Sequence, residues 1–102
     1  MKVAFTMKLK PGFSEEYKKR HDEIWPELAA LLKENGVSDY TIFLDEGTNT
    51  LFAVQNLSGQ GSQDLGQHEI VQRWWSFMAD IMETHADNSP VSSPLKSVFH
   101  LE

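Results

Sequence analysis

His21 stands four residues after Tyr17 and four before Trp25 in the stretch YKKRHDEIWPEL, residues 17–28. On a helix, residues four apart carry their side chains about 5–6 Å from one another, so this row would set an imidazole between two aromatic rings. A stripe made only for packing would carry Leu or Ile there. Imidazole is the side chain best suited to give and take protons near neutral pH. A second aromatic group lies in QRWWSFM, where Trp74 and Trp75 are neighbours. Adjacent helical residues project about 100° apart, so the two indoles cannot fill one packing slot. Tyr40 opens the strand-like run SDYTIFLD. If its face is the one the helices cover, its hydroxyl enters the same cleft as Tyr17 and His21. Taken singly, each residue has a packing reading: a core histidine bonded to a carbonyl, core tryptophans, an ordinary strand tyrosine. Taken together they have a binding reading, with indole rings against the C–H faces of a sugar and Tyr, His and carboxylate groups on its hydroxyls.

Other chemistries find less support. The chain has no cysteine, which removes disulfides, thiolate catalysis and cysteine metal sites. The four histidines, at 21, 68, 85 and 100, form no paired metal-binding spacing. GQGSQ, at 59–63, lacks the strand–helix context of a phosphate loop. A net charge of -6 argues against nucleic acid or an anionic membrane surface as partner. No apolar run nears the roughly 20 residues that span a bilayer, and the lysine-punctuated start MKVAFTMKLK lacks the apolar core of a signal peptide. The expectation is a soluble cytoplasmic protein with one domain over residues 1–102.

The elements that would position these residues follow from periodicity. VAFTMKL alternates Val3, Phe5, Met7 and Leu9 against Ala4, Thr6 and Lys8, as a strand does. KPGF is a turn, Ser14 is placed to cap a helix, and that helix should run to Asn35–Gly36, kinking or breaking at Pro26. SDYTIFLD and TLFAVQNL form a hairpin about EGTN. Residues 58–66, SGQGSQDLG, read as a flexible connection. A second helix is expected over about 67–84, DNSPVSSP as loop, and LKSVFHLE as the last strand. The order is β-α-β-β-α-β, an α+β ferredoxin-like arrangement whose antiparallel four-stranded sheet carries two helices on one face. LFAV is apolar on both faces, and Phe43 and Phe52 point away from their strand neighbours. The uncovered sheet face therefore predicts a homodimer.

RHDEIWPEL, QRWWSFMADIM and DNSPVSSPLKSVFHL, in this order and at these separations, resemble the L-rhamnose mutarotase family, and the likeness covers essentially the whole chain. The resemblance implies a dimeric α+β barrel, without metal or cofactor, that interconverts the α and β anomers of the small sugar L-rhamnose. It implies His21 as the proton donor, and Tyr17, Tyr40, Trp74 and Trp75 as sugar-binding residues. Trp74, Trp75 or Met78 would then wall the 6-methyl group. The group that removes the second proton stays open among Tyr40, a carboxylate and a bound water. Two other readings use the same cleft: a cofactor-independent monooxygenase or haem-degrading protein on this barrel, and a non-catalytic sugar-binding protein.

Overall fold

The computed structural model describes residues 1–102. It contains strands β1 (Lys2–Lys8), β2 (Val37–Asp45), β3 (Thr50–Leu57) and β4 (Ser92–Leu95), and helices α1 (Ser14–Asp22), α2 (Pro26–Glu34) and α3 (Glu69–Met78), with one 3-10 turn at Ser62–Asp64. The sheet order is β2-β3-β1-β4, and every neighbouring pair is antiparallel. This is the ferredoxin-like α+β arrangement expected from the element order. No helix is long and apolar enough to cross a membrane.

Alternation decides which side of the sheet is core. Phe5 and Met7 of β1 and Leu51, Ala53 and Gln55 of β3 are buried, and the apolar members pack with Tyr17, Leu28, Val71, Trp74 and Met78 from the helices. In β2 the alternation is interrupted. Asp39 takes φ 47 and the pairing with β3 shifts between Ser38 and Thr41, so Asp39 and Tyr40 together oppose Gln55. A bulge of this kind resets side-chain phase by one residue. Val37 and then Tyr40, Ile42 and Leu44 consequently share the helix-covered side; without the bulge Val37 and Tyr40 would face opposite sides.

Several local expectations need correction. The long first helix is two helices, so three helices rather than two cover the sheet. Pro26 stands at the first position of α2, and Trp25 before it is extended (φ -61, ψ 129), since a residue preceding proline avoids helical geometry. Ser14 does not cap α1: Phe13 holds that position and no side chain bonds there. The C-terminal end of α2 is as expected, with Asn35 Nδ2 donating to the Leu31 carbonyl at 2.9 Å and Gly36 in the left-handed region at φ 89. α3 stops at Met78, short of 84. Ile81 and Met82 are buried all the same, because Met82 bridges to Leu9 and the Ile81 carbonyl accepts from Lys10 N at 2.8 Å. Helical spacing found their burial but not their backbone. The last strand is Ser92–Leu95, all but Leu95 inside the stretch expected to be loop, and Lys96–Glu102 has no regular structure. Pro94 is tolerated because β4 is an edge strand, where a missing N–H need not break a ladder.

Candidate active site

A cavity of about 1000 Å³ opens between the helices and the inner side of β2 and β3. Tyr17, His21, Tyr40, Trp74 and Trp75, the five residues singled out by type and spacing, all border it, with Met78 beside them. Tyr17 and His21 come from α1, Tyr40 from the bulged start of β2, and the tryptophans from α3. The row on α1 ends at His21, since the helix breaks before Trp25. Trp25 instead packs edge-on against Trp74 at 5.0 Å and at a 36° tilt against Phe77 at 5.5 Å, backing the cavity wall. Aromatic pairs of this geometry contribute about 0.5–1.5 kcal/mol each beyond the area they bury.

The imidazole is held on three sides. Its ring stacks on Tyr17 at 4.3 Å and 28°, and meets Trp74 at 5.4 Å and 89°. Its Nδ1 lies 3.1 Å from the Tyr17 carbonyl oxygen. A carbonyl can only accept, so Nδ1 carries the proton of the neutral ring and Nε2 keeps its lone pair. No protein group bonds Nε2, and no buried side-chain nitrogen or oxygen in the chain lacks a partner. Nε2 is therefore open to the cavity. Burial pulls the His21 pKa below its usual 6.5, outweighing the Tyr17 carbonyl and the charge of Asp22, which favour the cation. The resting ring is neutral.

Both phenols are driven the other way. Burial, reinforced by the neighbouring Tyr40, pushes the Tyr17 hydroxyl far above the ordinary phenol range. Burial also raises Tyr40, against the opposing influence of Ser62 and Gln55. Each stays protonated at neutral pH and offers an O–H to the cavity. Neither is a base.

Arg20, next to His21, ties α1 to the end of α3. Its Nη1 donates to the Phe77 carbonyl at 2.7 Å and to Asp80 at 2.8 Å, its Nε donates to Glu16 at 2.8 Å, and its guanidinium lies 4.6 Å from the Phe77 ring centre. This clamp fixes the approach of His21 to Trp74. On the opposite wall, Gly66 sits against Trp75, where a Cβ would come within 2.7 Å of the indole ring.

Two wall residues escaped the sequence reading. Ser62 and Gln63 border the cavity from the connection between β3 and α3. The one sequence signal that could have led to this place is Gln55, a polar residue at an inward position of a strand that otherwise alternates Leu51 and Ala53.

Comparison with known proteins agrees with the fold. Residues 2–101 match the family described as L-rhamnose mutarotase. An L-rhamnose mutarotase of Formosa agariphila is 62% identical over 102 residues, covering 99% of this chain and 98% of that protein. One from Bacteroides thetaiotaomicron is 64% identical over 100 residues, covering 97% and 96%. The crystal structure of an L-rhamnose mutarotase from Formosa agariphila superimposes with a TM-score of 0.94 at 59% identity, covering 100% of this chain and 99% of that one. With matches that run the length of the sequence and the fold alike, the chain belongs to the L-rhamnose mutarotase family.

Proposed function

We infer that this protein is an isomerase, an L-rhamnose mutarotase that interconverts the α and β anomers by opening and reclosing the pyranose ring. The observation that carries the chemistry is the state of His21: Nδ1–H engaged by a carbonyl, Nε2 open, ring neutral. Nε2 takes the proton of the anomeric hydroxyl as the bond from C1 to the ring oxygen opens. The imidazolium so formed returns that proton to the ring oxygen, leaving the open-chain aldehyde. Rotation about C1–C2 presents the other face, and the same transfers in reverse close the ring. The role differs from that of a resting proton donor: the histidine accepts first and donates second. Tyr17 and Tyr40, kept protonated by burial, donate to the oxygen on which charge gathers. Trp74 and Trp75 stack on the sugar, and Met78 completes an apolar wall for the 6-methyl group. Saturation-transfer NMR between the α and β H1 resonances of L-rhamnose tests this reading. Exchange accelerated well above buffer is expected, and no acceleration at catalytic protein concentration would overturn it.

The homodimer belongs to the same proposal. Phe43, 62% exposed, pairs directly across the hairpin with Phe52, 36% exposed, and Ala4, Val54 and Leu95 form the adjoining cross-strand row on this outer side. Val98, Phe99 and Leu101 add exposed apolar surface at the end of the chain. Light scattering should give twice the 11.6 kDa of one chain. Phe43→Glu should shift that mass toward the monomer, and a wild-type mass of one chain would refute the dimer.

A further inference from the structure

Gln72 and Arg73 stand directly before the tryptophan pair, and both are exposed. Arg73 makes a surface ion pair with Glu69, one turn back. Gln72 makes a contact of another kind. Its side chain runs back toward the start of α3, as helical side chains do, and its Nε2 donates to the Gly66 carbonyl at 2.7 Å. Gly66 in turn lies against Trp75: a Cβ built there would stand 2.7 Å from Cη2 and 3.1 Å from Cζ3 of the indole. Its φ is not in the left-handed region, so space rather than conformation calls for glycine here. Residues 72 and 75 are three apart and share one side of the helix. Gly66, Gln72 and Trp75 therefore close a three-point contact, in which the helix that carries the ring also holds the backbone that the ring abuts. The connection from β3 has two deeper anchors, Ser62 on Gln55 and the fully buried Leu65. The bond from Gln72 is made at the residue that meets the indole, and Trp75 itself is half-buried at the border of the cavity.

We propose that Gln72 is a positioning residue for Trp75: by holding the Gly66 carbonyl it keeps that backbone against the six-membered ring, and so fixes the angle at which the indole borders the cavity. Without this bond the end of the connection can draw away, and the ring can tilt into the space left. Trp75 then offers the sugar a mobile face, and binding has to bear the entropy of fixing it. Rate should suffer little, since the bond touches neither His21 nor α1. That Trp75 stacks on the sugar rests on the mutarotase reading; the contact among Gly66, Gln72 and Trp75 does not.

Gln72→Met removes the donor at an exposed helical position that methionine suits. Gln72→Lys keeps N–H donors and has the length to reach the carbonyl. The chain has three tryptophans, hence three indole N–H resonances, and Trp75→Phe identifies that of Trp75. In the sugar-free protein, Gln72→Met should move the Trp75 resonance and leave that of Trp25 in place, whereas Gln72→Lys should keep it near its wild-type position. The dissociation constant for L-rhamnose should rise about three- to tenfold in Gln72→Met, the range of one neutral hydrogen bond, with a smaller change in turnover at saturation. Gln72→Lys should recover most of that affinity. In a Trp75→Ala background Gln72→Met should cost no further affinity. A Trp75 resonance unmoved by Gln72→Met would overturn the proposal, as would affinity losses that simply add to that of Trp75→Ala, or turnover that falls as far as affinity. If the wild type neither binds nor turns over L-rhamnose, the substrate reading falls, and the indole resonances still decide the positioning.

Discussion

Tyr17 and His21 meet because they are four residues apart on one helix, and a single carbonyl of that helix sets the imidazole. Gln55 and Ser62 meet because a strand and the loop that leaves it fold back on each other, and the same loop brings Gly66 against Trp75. The first wall of the cavity is local geometry, carries the proton chemistry in the proposed mechanism and depends on few contacts. The second is assembled from tertiary contacts, gives the cavity its shape, and depends on all of them. Damage to the first should therefore appear in rate, and damage to the second in affinity and stability.

The largest effect is expected on the helical wall. His21→Ala should lower the rate of anomer exchange about 10²–10⁴-fold, the usual contribution of a general acid–base group. Sugar affinity, spread over stacking and several hydroxyl contacts, should change far less. Circular dichroism must accompany the measurement, because the ring also packs on Tyr17 and Trp74. A folded variant with near-normal exchange would break the division between the walls.

A smaller effect, of a different kind, is expected across the cavity. Gly66→Ala places a methyl group 2.7 Å from the Trp75 ring, which is too rigid to yield locally. Overpacking of this sort costs about 1–3 kcal/mol. Thermal unfolding should show that loss, and L-rhamnose should bind more weakly with turnover at saturation better preserved. Equal losses in turnover and affinity would mean that Trp75 serves the chemistry as well as the binding.

The smallest effect should come from Asp80→Asn. Asp80 is 65% exposed and Arg20 keeps its bonds to Glu16 and to the Phe77 carbonyl, so the loss in stability should stay below about 1 kcal/mol. Exchange should fall slightly, with affinity unchanged, as α1 loosens against α3. A drop comparable to that of His21→Ala would show that the clamp matters more than its exposure implies.

The contrast between the walls also explains what could be read from the sequence. Spacing on a helix is a local rule, so Tyr17–His21 and the divergence of Trp74 and Trp75 were legible, as was the break that Pro26 imposes. The alternation of β1 and β3 gave the sheet and its buried face. Ser62 and Gln63 were not legible, because nothing local in SGQGSQDLG records a partner seven residues earlier on β3. Tyr40 shares the face of Ile42 and Leu44 by simple alternation; what could not be read was the bulge at Asp39, which brings Val37 to that side and carries no glycine-like signal for its positive φ. The end of α3 was missed because Ile81 and Met82 stay buried after the helix stops, so the apolar stripe outlasts the backbone that it predicts.

The most direct test of the account is the pH dependence of kcat/KM for anomer exchange, after subtraction of the buffer rate. Burial lowers the pKa of His21, and in the proposed mechanism the working form of the free enzyme is the neutral ring with Nε2 as acceptor. The rate should therefore rise with pH through a midpoint below 6.5 and stay level above it to beyond neutrality. His21→Ala should lose that midpoint. A rate that instead falls as pH rises through the same region would make the imidazolium the working form, and would contradict a neutral histidine that accepts the proton first.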